Sequence, residues 1–503
     1  PVLDLSSTFA GPTIERSQCV SVALRPRVAY ECGALRVAYP LPSLTTVSEA
    51  RTPTLVYRSD HAAPRPTVRV RVTLPSGAAG PVTATLQVAG EQVATRSWPG
   101  SAFPAGETRE IGLQFDGANL ATGLYPLTVF VTADGQTALA HSELPVVNRR
   151  QSPFGPGWWL AGYETLVPIA HSADWFWVGG DGSTRRYRYR STTAGTQTFV
   201  SEGAVDAVDT LTVTADGWRW RFPGDNGVIA FDPLNRHAQT TDELGQRTVF
   251  AHDAARCGRL ASVWAPVGAA TPVHDLAQGR NWSFNYDLDT LPNPCAVGNT
   301  VPRLTSAGAS GPTGPFDVRW TFFGHYPTVT SIFDDTRGQH VLLAYGDGTS
   351  FRATGYRDRV GTWTNLTYAA AGTLASAWDQ LPTTSPTRTF VAGETRAVGP
   401  MPLPADSAAL TTLVDPRGNP TRIQLTALGA PRRITDAVGR VTSLTYGDSR
   451  FPGLVTALTR PGDTPTGTYT TTATYDARGN ATVLRADPVP GLFDTPAYTP
   501  IQY

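Results

Sequence analysis

The segment Thr435-Asp-Ala-Val-Gly-Arg-Val-Thr-Ser-Leu-Thr-Tyr446 is the most informative about the fold, because it joins a turn signal to a strand signal. The carboxylate of Asp436 can accept hydrogen bonds from backbone amides two or three residues further along, and Gly439 supplies a left-handed conformation in which a Cβ would clash. The strand that follows has threonine-rich alternate positions that would face water, and Tyr446 at its end can stack on neighbouring strands. The segment therefore predicts a tight turn that leads into a half-exposed strand.

The same Asp-x-x-Gly signal, followed by Gln, Asn or Arg, occurs five times. The turn residues are Asp242 and Gly245, Asp335 and Gly338, Asp415 and Gly418, Asp436 and Gly439, and Asp476 and Gly479. The last four aspartates are separated by 80, 21 and 40 residues, whereas the first interval of 93 residues needs an insertion. These spacings predict a unit of about 20 residues, one strand–turn–strand element that buries its apolar face only by stacking on its neighbours.

Four segments carry a resemblance to a known family. Tyr475-Asp-Ala-Arg-Gly-Asn480 is close to the family's signature, Thr435–Tyr446 is nearly a full unit, and Asp253–Leu260 is similar with one residue inserted. Ser152-Pro-Phe-Gly-Pro-Gly-Trp-Trp-Leu160 resembles the Pro-Phe-Gly-x-Gly-Trp motif that precedes such repeats. Residues 149–503 thus resemble the Rhs/YD-repeat family of bacterial proteins, related to Tc-toxin B/C components and teneurin shells. The resemblance implies a β-ribbon that spirals into a hollow shell, which encloses a C-terminal toxin or serves as an adhesive or scaffolding surface.

The whole chain is predicted to be all-β, with three regions. Residues 1–50 form a β-rich lead-in with a cysteine pair, residues 51–148 an immunoglobulin- or fibronectin-like sandwich, and residues 149–503 the Rhs/YD-repeat β-shell. The sandwich rests on alternating strands at Thr67–Leu74, Val82–Val88, Gln92–Trp98, Thr108–Phe115 and Gly123–Thr132. Within the last of these, Gly123-x-Tyr125 resembles the tyrosine corner of such sandwiches.

Composition excludes several classes of protein. The 503 residues include 48 Gly and 42 Pro, which favours many short strands joined by turns, and the 41% hydrophobic content argues against disorder. The net charge is zero, and no lysine occurs, so no concentrated basic face is expected and nucleic acid is not a predicted partner. No apolar run approaches the roughly 18–20 residues that would span a membrane.

The four cysteines form two local pairs in sequence, Cys19 with Cys32 and Cys257 with Cys295. Four cysteines allow three connectivities, of which local pairing is the simplest and suits an oxidising compartment. Free buried thiols stay open as an alternative, while zinc would need tighter spacing than these cysteines offer. The cysteines therefore predict a secreted or cell-surface protein.

No catalytic constellation is evident, and neither a cofactor nor a metal is predicted. The eight histidines are scattered, without an H-E-x-x-H motif or a nucleophile elbow. Asp287, Asp289, Asp334 and Asp335 could bind Ca²⁺ or cap turns. Trp175-Phe-Trp177 and Trp218-Arg-Trp220 could stack on sugars or pack against other strands. Asp415-Pro and Asp436 resemble the doubled motif that releases a C-terminal cargo in the family, although the second lacks its proline and the repeat period gives nearly the same spacing.

These observations favour a non-catalytic extracellular structural protein that assembles into filaments or a surface layer through open β edges. Its expected partners are other copies of itself or the rest of a longer chain, with a cell-surface glycan also possible. Two alternatives stay open. One is the front part of an Rhs toxin-delivery shell that encapsulates a C-terminal cargo, and the other is a carbohydrate-binding or carbohydrate-cleaving β-protein.

Overall fold

The structure is a computed structural model of the whole chain. It describes residues 2–5, 13–15, 27–28, 33–41, 44–45, 50–202, 209–215, 217–221, 227–254, 258–267, 281–287, 303–310, 316–322, 329–334, 339–346, 351–357, 361–380, 387–393, 397–404, 410–426, 429–462, 467–477, 479 and 481–486. The four cysteines, the turn residues Asp335 and Gly338, and Asp289 lie outside these ranges.

The described residues confirm the all-β prediction. Two short helices occur, α1 (Ser59–Ala62) and a 3-10 turn at Gly100–Ala102. The described strands outside the long sheet are β1 (Val2–Leu5), β2 (Thr13–Glu15), β3 (Arg27–Val28), β4 (Leu35–Pro40), β5 (Leu44–Thr45), β6 (Ala50–Arg51), β7 (Thr54–Arg58), β8 (Thr67–Thr73), β9 (Val82–Val88), β10 (Glu91–Trp98), β11 (Thr108–Gln114), β12 (Gly123–Ala133), β13 (Gln136–Val146), β14 (Trp158–Leu160) and β34 (Leu403–Pro404).

The remaining strands form one long sheet. They are β15 (Thr165–Pro168), β16 (Trp175–Val178), β17 (Thr184–Thr193), β18 (Thr196–Glu202), β19 (Thr210–Thr214), β20 (Gly217–Arg221), β21 (Val228–Phe231), β22 (His237–Thr241), β23 (Arg247–Asp253), β24 (Arg259–Val267), β25 (Asn281–Asp287), β26 (Arg303–Ser310), β27 (Phe316–Phe322), β28 (Val329–Asp334), β29 (Gln339–Tyr345), β30 (Ala353–Arg357), β31 (Trp363–Tyr368), β32 (Leu374–Gln380), β33 (Thr387–Val391), β35 (Leu410–Val414), β36 (Pro420–Leu425), β37 (Pro431–Thr435), β38 (Val441–Thr445), β39 (Ala457–Pro461), β40 (Thr468–Tyr475) and β41 (Ala481–Ala486).

A two-sheet sandwich is built mainly from β8–β13, and the first strands β1 and β2 and the later β34 add to one of its sheets. One sheet has the order β10-β9-β12-β13 and the other β2-β1-β8-β11-β34. Alternate residues of β8, β9, β11 and β12 point between the sheets and form one core of valine, leucine and alanine with Trp98 and Phe103. The Tyr125 hydroxyl donates a hydrogen bond to the carbonyl of Ala121, 2.9 Å away, which is the geometry of a tyrosine corner.

A second small sheet, which we call the plug, has the order β14-β7-β4-β3. Its strands come from both sides of the sandwich in sequence, and the pairing Val37↔Tyr57 joins the strands on either side of the predicted boundary at residues 50 and 51. The pairing Trp158↔Tyr57 then adds the Trp-Trp-Leu segment that follows the Pro-Phe-Gly-x-Gly-Trp motif. The plug therefore brings residues from the lead-in, the start of the sandwich region and the start of the shell region together.

The long sheet is a ribbon in which, among the described residues, 26 strands pair in sequence order from β15 to β41, with β34 alone standing outside it. Every described pairing in the ribbon is antiparallel and joins strands that follow one another in sequence, except that β33 pairs with β35. Such local pairing requires no long-range search along the chain. A row of hairpins is the arrangement that the repeated turn signals predict.

The first eight strands of the ribbon, β15–β22, bend back on themselves, and we call them the curl. A flat sheet of eight strands would hold its outer strands about 34 Å apart. Instead, Thr165 at the start of β15 forms an antiparallel bridge with Arg236, next to β22. The inside of the curl is filled by aromatic and aliphatic side chains of alternate positions, among them Tyr187, Phe199, Leu211 and Trp220.

The next strands, β23–β33, surround the plug, and we call them the wrap. Side chains from Phe250 in β23 to Phe390 in β33 share one continuous core with Leu35, Tyr57 and Trp158 of the plug. A flat sheet of eleven strands would be about 48 Å wide, far wider than the plug, so the wrap must curve around it. The resemblance implies a hollow shell, whereas the inner face of the wrap is occupied by the chain's own plug.

Burial decreases along β35–β41, which we call the tail. Five apolar residues lie on its inner face. They are Ile423 in β36, Ile434 in β37, Leu444 in β38, Leu458 in β39 and Leu484 in β41. Ile423 is 1% exposed, but Leu484 is 47% exposed. The apolar face of the ribbon thus continues beyond the region that the plug covers.

Candidate functional site

The Asp-x-x-Gly repeats form one type of turn. At Asp436, the amide of Gly439 donates to the Asp436 carbonyl and the Asp436 amide donates to the Arg440 carbonyl, each at 3.0 Å. Gly439 has a φ of +85°, so the turn is a type I turn closed by a left-handed residue. The carboxylate accepts from the amides of Val438 and Arg440, two and four residues further along. The sequence predicted donors two or three residues further along, so the second donor lies one residue beyond the predicted position.

Asp242 and Asp415 make the same bonds. The carboxylate of Asp242 accepts from the amides of Leu244 and Gln246, and that of Asp415 from those of Arg417 and Asn419. At the last repeat, the amide of Gly479 donates to the carbonyl of Asp476 at 3.3 Å.

Two further turns of this type lack part of the signal. Asp232-Pro-Leu-Asn-Arg236 has the full set of bonds, but Asn235 replaces the glycine at a φ of 64°. At Thr426, a threonine hydroxyl replaces the carboxylate and accepts from the amide of Ala430. Sequence reasoning missed both because it required Asp and Gly together, although asparagine tolerates the left-handed conformation.

The two tryptophan pairs lie inside the curl. Trp175 contacts Trp218 with ring centroids 4.2 Å apart, and Trp177 contacts Trp220 at 4.7 Å. Trp218 is 8% exposed, and all four rings belong to or pack against the core of the curl. The rings therefore pack against one another at tilted angles across the curl, which is the packing alternative and not an open platform for sugars.

A group of charged side chains lies where sandwich, plug and curl meet, and we call it the junction. Arg58, the last residue of β7, makes a two-pronged ion pair with Asp60, at 3.0 and 2.7 Å. The same guanidinium donates to the carbonyl of Asp181 in the turn between β16 and β17 of the curl, at 3.1 Å. Arg58 therefore connects the end of β7, an inner strand of the plug, to the curl.

Arg149 makes the matching connection from the sandwich. This residue follows the last sandwich strand, and its guanidinium donates to the carbonyls of Gly180 and Gly179, at 3.0 and 2.6 Å. The amide of Gly180 donates in turn to the carboxylate of Glu164, at 3.1 Å. The glycines allow this close approach, because a Cβ on Gly180 would lie 2.5 Å from the backbone nitrogen of Gly162.

Burial changes the protonation of the junction. Burial raises the pKa of Glu164 to about 8, with the charge of Asp181 acting in the same direction. Burial, with nearby Arg58, holds the pKa of His61 well below its usual 6.5, so this imidazole is neutral at pH 7. Asp60 stays ionised, because the ion pair with Arg58 lowers its pKa against the opposing effect of burial.

A second buried group lies beside the junction. The amide of Glu164 donates to Nδ1 of His237 at 2.9 Å, so the imidazole proton sits on Nε2, which donates to the hydroxyl of Thr240 at 2.8 Å. Tyr163 stacks on His237 with an interplanar angle of 3° and hydrogen-bonds His252 at 3.0 Å. Burial lowers the pKa of His237 to about 3 and that of His252 to about 4, so both rings are neutral at pH 7.

The side chains of the junction hold separate parts of the chain together. Arg58 and Arg149 are buried, Asp60 is partly buried, and these charged groups bind one another or backbone carbonyls. No group of three or more metal-binding side chains occurs among the residues that the structure describes. In the same residues, no helix is both long and apolar enough to cross a membrane. The geometry fixes the turn between β16 and β17 to the plug and the sandwich.

Comparisons with known proteins do not assign a family. No protein family and no curated protein matches the chain. Among solved structures, a chain of the Photorhabdus luminescens Tc holotoxin pore, carrying a mutant TccC3 component, matches over 92% of this chain at 12% identity and a TM-score of 0.28. This chain spans 26% of the length of that one. A quinoprotein alcohol dehydrogenase-like protein from Bacteroides thetaiotaomicron matches over 73% of this chain and 91% of its own, at 8% identity and a TM-score of 0.10.

Proposed function

We propose that the chain is a non-catalytic extracellular scaffold, a segment of an Rhs/YD-type β-shell that bears load or presents a surface. The observation that carries the proposal is the ribbon, in which consecutive hairpins pair in sequence order and the wrap closes on the chain's own plug. A filled interior supports a structural element over an open container for this part of the chain. Arg58, Asp60 and Arg149 of the junction bind one another or backbone carbonyls, which supports a non-catalytic role.

The tail offers a place for assembly. Among the described residues, β41 pairs with β40 alone, so one of its edges has no described neighbour. An open strand edge pairs readily with another strand, and the partly exposed Leu484 lies on the apolar face beside that edge. We propose that another copy of the chain, or further chain of the same protein, adds to the ribbon here.

One observation favours the toxin-delivery alternative. The apolar side chains on the inner face of the tail become more exposed towards β41. The wall of a shell that encloses a cargo further along would have this property. In that case the plug would close one end of a shell whose cargo lies beyond the tail.

The test combines size measurement with electron microscopy of the purified chain. The scaffold proposal predicts concentration-dependent oligomers or fibres that L484K abolishes, because a charge on the apolar face opposes pairing. V438K is the matched control, since Val438 is 77% exposed in a turn and its replacement adds the same charge away from the edge. Monodisperse monomers at all concentrations, or equal effects of both variants, would contradict assembly through this edge.

A further inference from the structure

Strand β13 forms one edge of the first sandwich sheet. The order of that sheet is β10-β9-β12-β13, so β13 pairs with β12 on one side and, within the described residues, with no strand on the other. Its 11 residues pair with β12 in continuous register, without a bulge. It is the longest strand at a sheet edge in the part of the chain that the structure describes. Such an edge offers a row of backbone amides and carbonyls to an added strand.

The other described edges of the sandwich are protected against strand addition. Strand β10 is interrupted by a bulge, and its Arg96 donates to the carbonyl of Val398 at 2.8 Å. Strand β34 has two residues and ends at Pro404, which has no amide hydrogen to donate. Strand β2 has three residues and ends at Glu15. Bulges, prolines, charges and short edge strands are the devices by which proteins prevent pairing between sheet edges.

The first part of β13, residues 136–142, lacks all of these devices. Its sequence is Gln-Thr-Ala-Leu-Ala-His-Ser, without proline, aspartate, glutamate, lysine or arginine. Leu139, at its centre, is 50% exposed, whereas Ala138 and Ala140 on the opposite face are buried. We call residues 136–142 the neutral edge, because it combines uncharged side chains with one exposed apolar side chain.

Both ends of the neutral edge are held in place by neighbouring parts of the chain. At the hairpin turn before it, the carboxylate of Asp134 accepts hydrogen bonds from the amides of Ala79 and Gly80, at 3.0 and 2.8 Å. Directly after it, Glu143 makes an ion pair with Arg186 of the curl. The edge is therefore ordered before a partner binds, which lowers the entropic cost of adding a strand.

We propose that a second copy of the chain binds this edge, with its own β13 antiparallel to the first and a twofold axis at Leu139. Leu139 is the midpoint of the neutral edge, so pairing about this residue aligns the neutral edges of both copies over their whole length. Ala138 of one copy then lies opposite Ala140 of the other, and Thr137 lies opposite His141. The patch is complementary to itself, as a twofold interface requires.

This register is compatible with both faces of the sheet. Odd-numbered residues lie opposite odd-numbered residues, so the core faces of the two copies lie on the same side. The two four-stranded sheets then become one continuous sheet. The two Leu139 side chains lie opposite each other, with Cβ atoms about 4.5–5.5 Å apart, and cover each other's exposed apolar surface. This interface is separate from the β41 edge, so the inference goes beyond the assembly proposed there.

The test measures dimerisation of the full chain by sedimentation velocity in the L484K background, where the β41 edge is blocked and the remaining dimers report on β13. We expect L139K to weaken the dimer by about tenfold or more, because two like charges then oppose each other at the twofold axis. L139E should weaken it in the same way, whereas an equal mixture of the two variants should restore dimers, since lysine then faces glutamate. The matched control is Q92K, which adds a charge at an exposed position of β10, the opposite edge of the same sheet, and should leave the dimer unchanged.

Three outcomes would overturn the proposal. They are monomers of the L484K protein at all concentrations, equal weakening by L139K and Q92K, or no recovery of dimers in the mixture of L139K and L139E. Leu139 is half-exposed, so its replacement should leave thermal unfolding of the sandwich unchanged, which is measured on each variant. Assemblies larger than a dimer in the wild type report on the β41 edge, so failure of either interface is distinguishable from failure of the other.

Discussion

Replacing Tyr57 by phenylalanine tests whether the plug holds the wrap. Tyr57 is fully buried in β7. Its hydroxyl makes two hydrogen bonds, one to the first residue of β30 and one to a residue just before that strand. It donates to the carbonyl of Phe351 and accepts from the amide of Ala353, each at 2.9 Å. The ring also contacts Trp158 with centroids 5.6 Å apart, and phenylalanine would keep that contact.

The expected cost follows from the two backbone groups that lose their partner. A buried donor or acceptor left unsatisfied costs about 1–3 kcal/mol, so the loss of both partners in Y57F should lower the free energy of unfolding by about 2–6 kcal/mol. The matched control is Y125F in the sandwich, where a partly exposed hydroxyl makes one bond to Ala121. Y125F should cost about 0.5–1.5 kcal/mol.

Urea unfolding followed by tryptophan fluorescence measures both variants, and hydrogen exchange at the Ala353 amide locates the effect. We expect faster exchange at Ala353 in Y57F and unchanged exchange there in Y125F. If Y57F costs no more than Y125F, or if Ala353 exchanges as in the wild type, then the plug does not hold the wrap as described.

Further variants probe the junction and the turns. E164Q removes a carboxyl whose pKa is raised to about 8, so the wild type should lose stability as pH rises from 5.5 to 8.5 and E164Q should lose less, as urea unfolding at both pH values would show. Equal pH dependence would contradict the burial of a protonated Glu164. D436A removes the acceptor for two turn amides and should lower the midpoint of thermal unfolding, with no effect counting against the role of the carboxylate in the turn. N235G relieves a left-handed asparagine and should stabilise the protein by about 0.5 kcal/mol in the same measurement, whereas a loss would contradict the turn geometry. G182A would bring a Cβ within 2.2 Å of the His61 ring and should cost more than about 1 kcal/mol.

The strands of the sandwich could be predicted from sequence because their pattern is local. The predicted Val82–Val88 coincides with β9, and Thr108–Phe115 differs from β11 by one residue. Strict alternation over seven residues identifies both the strand and its buried face. The Asp-x-x-Gly turns are equally local, since all their bonds lie within five residues.

The plug could not be predicted, because its partners are distant in sequence. Leu35 in β4 and Phe351 before β30 share a core across more than 300 positions of the chain. No periodicity in either segment encodes the contact. The one hint was the Pro-Phe-Gly-x-Gly-Trp motif, whose Phe154 packs edge-on against Phe284 of the wrap at 6.0 Å.

The junction was missed for a related reason. Arg58, Asp60 and Arg149 look like ordinary solvent-facing charges in the sequence, because nothing local shows that a glycine turn at 179–182 covers them. The cysteine pairs and the turn at Asp335 stay predictions, since they lie outside the described residues.

Hydrogen exchange of the native chain, read by mass spectrometry, tests most directly the claim that the wrap is built on the plug. We expect β4, β7 and β14 to exchange together with β23–β33, as one cooperative unit. Strands β36–β41 should exchange faster, because their inner face is less buried. Exchange of the plug strands independently of the wrap, or a tail as protected as the wrap, would contradict it.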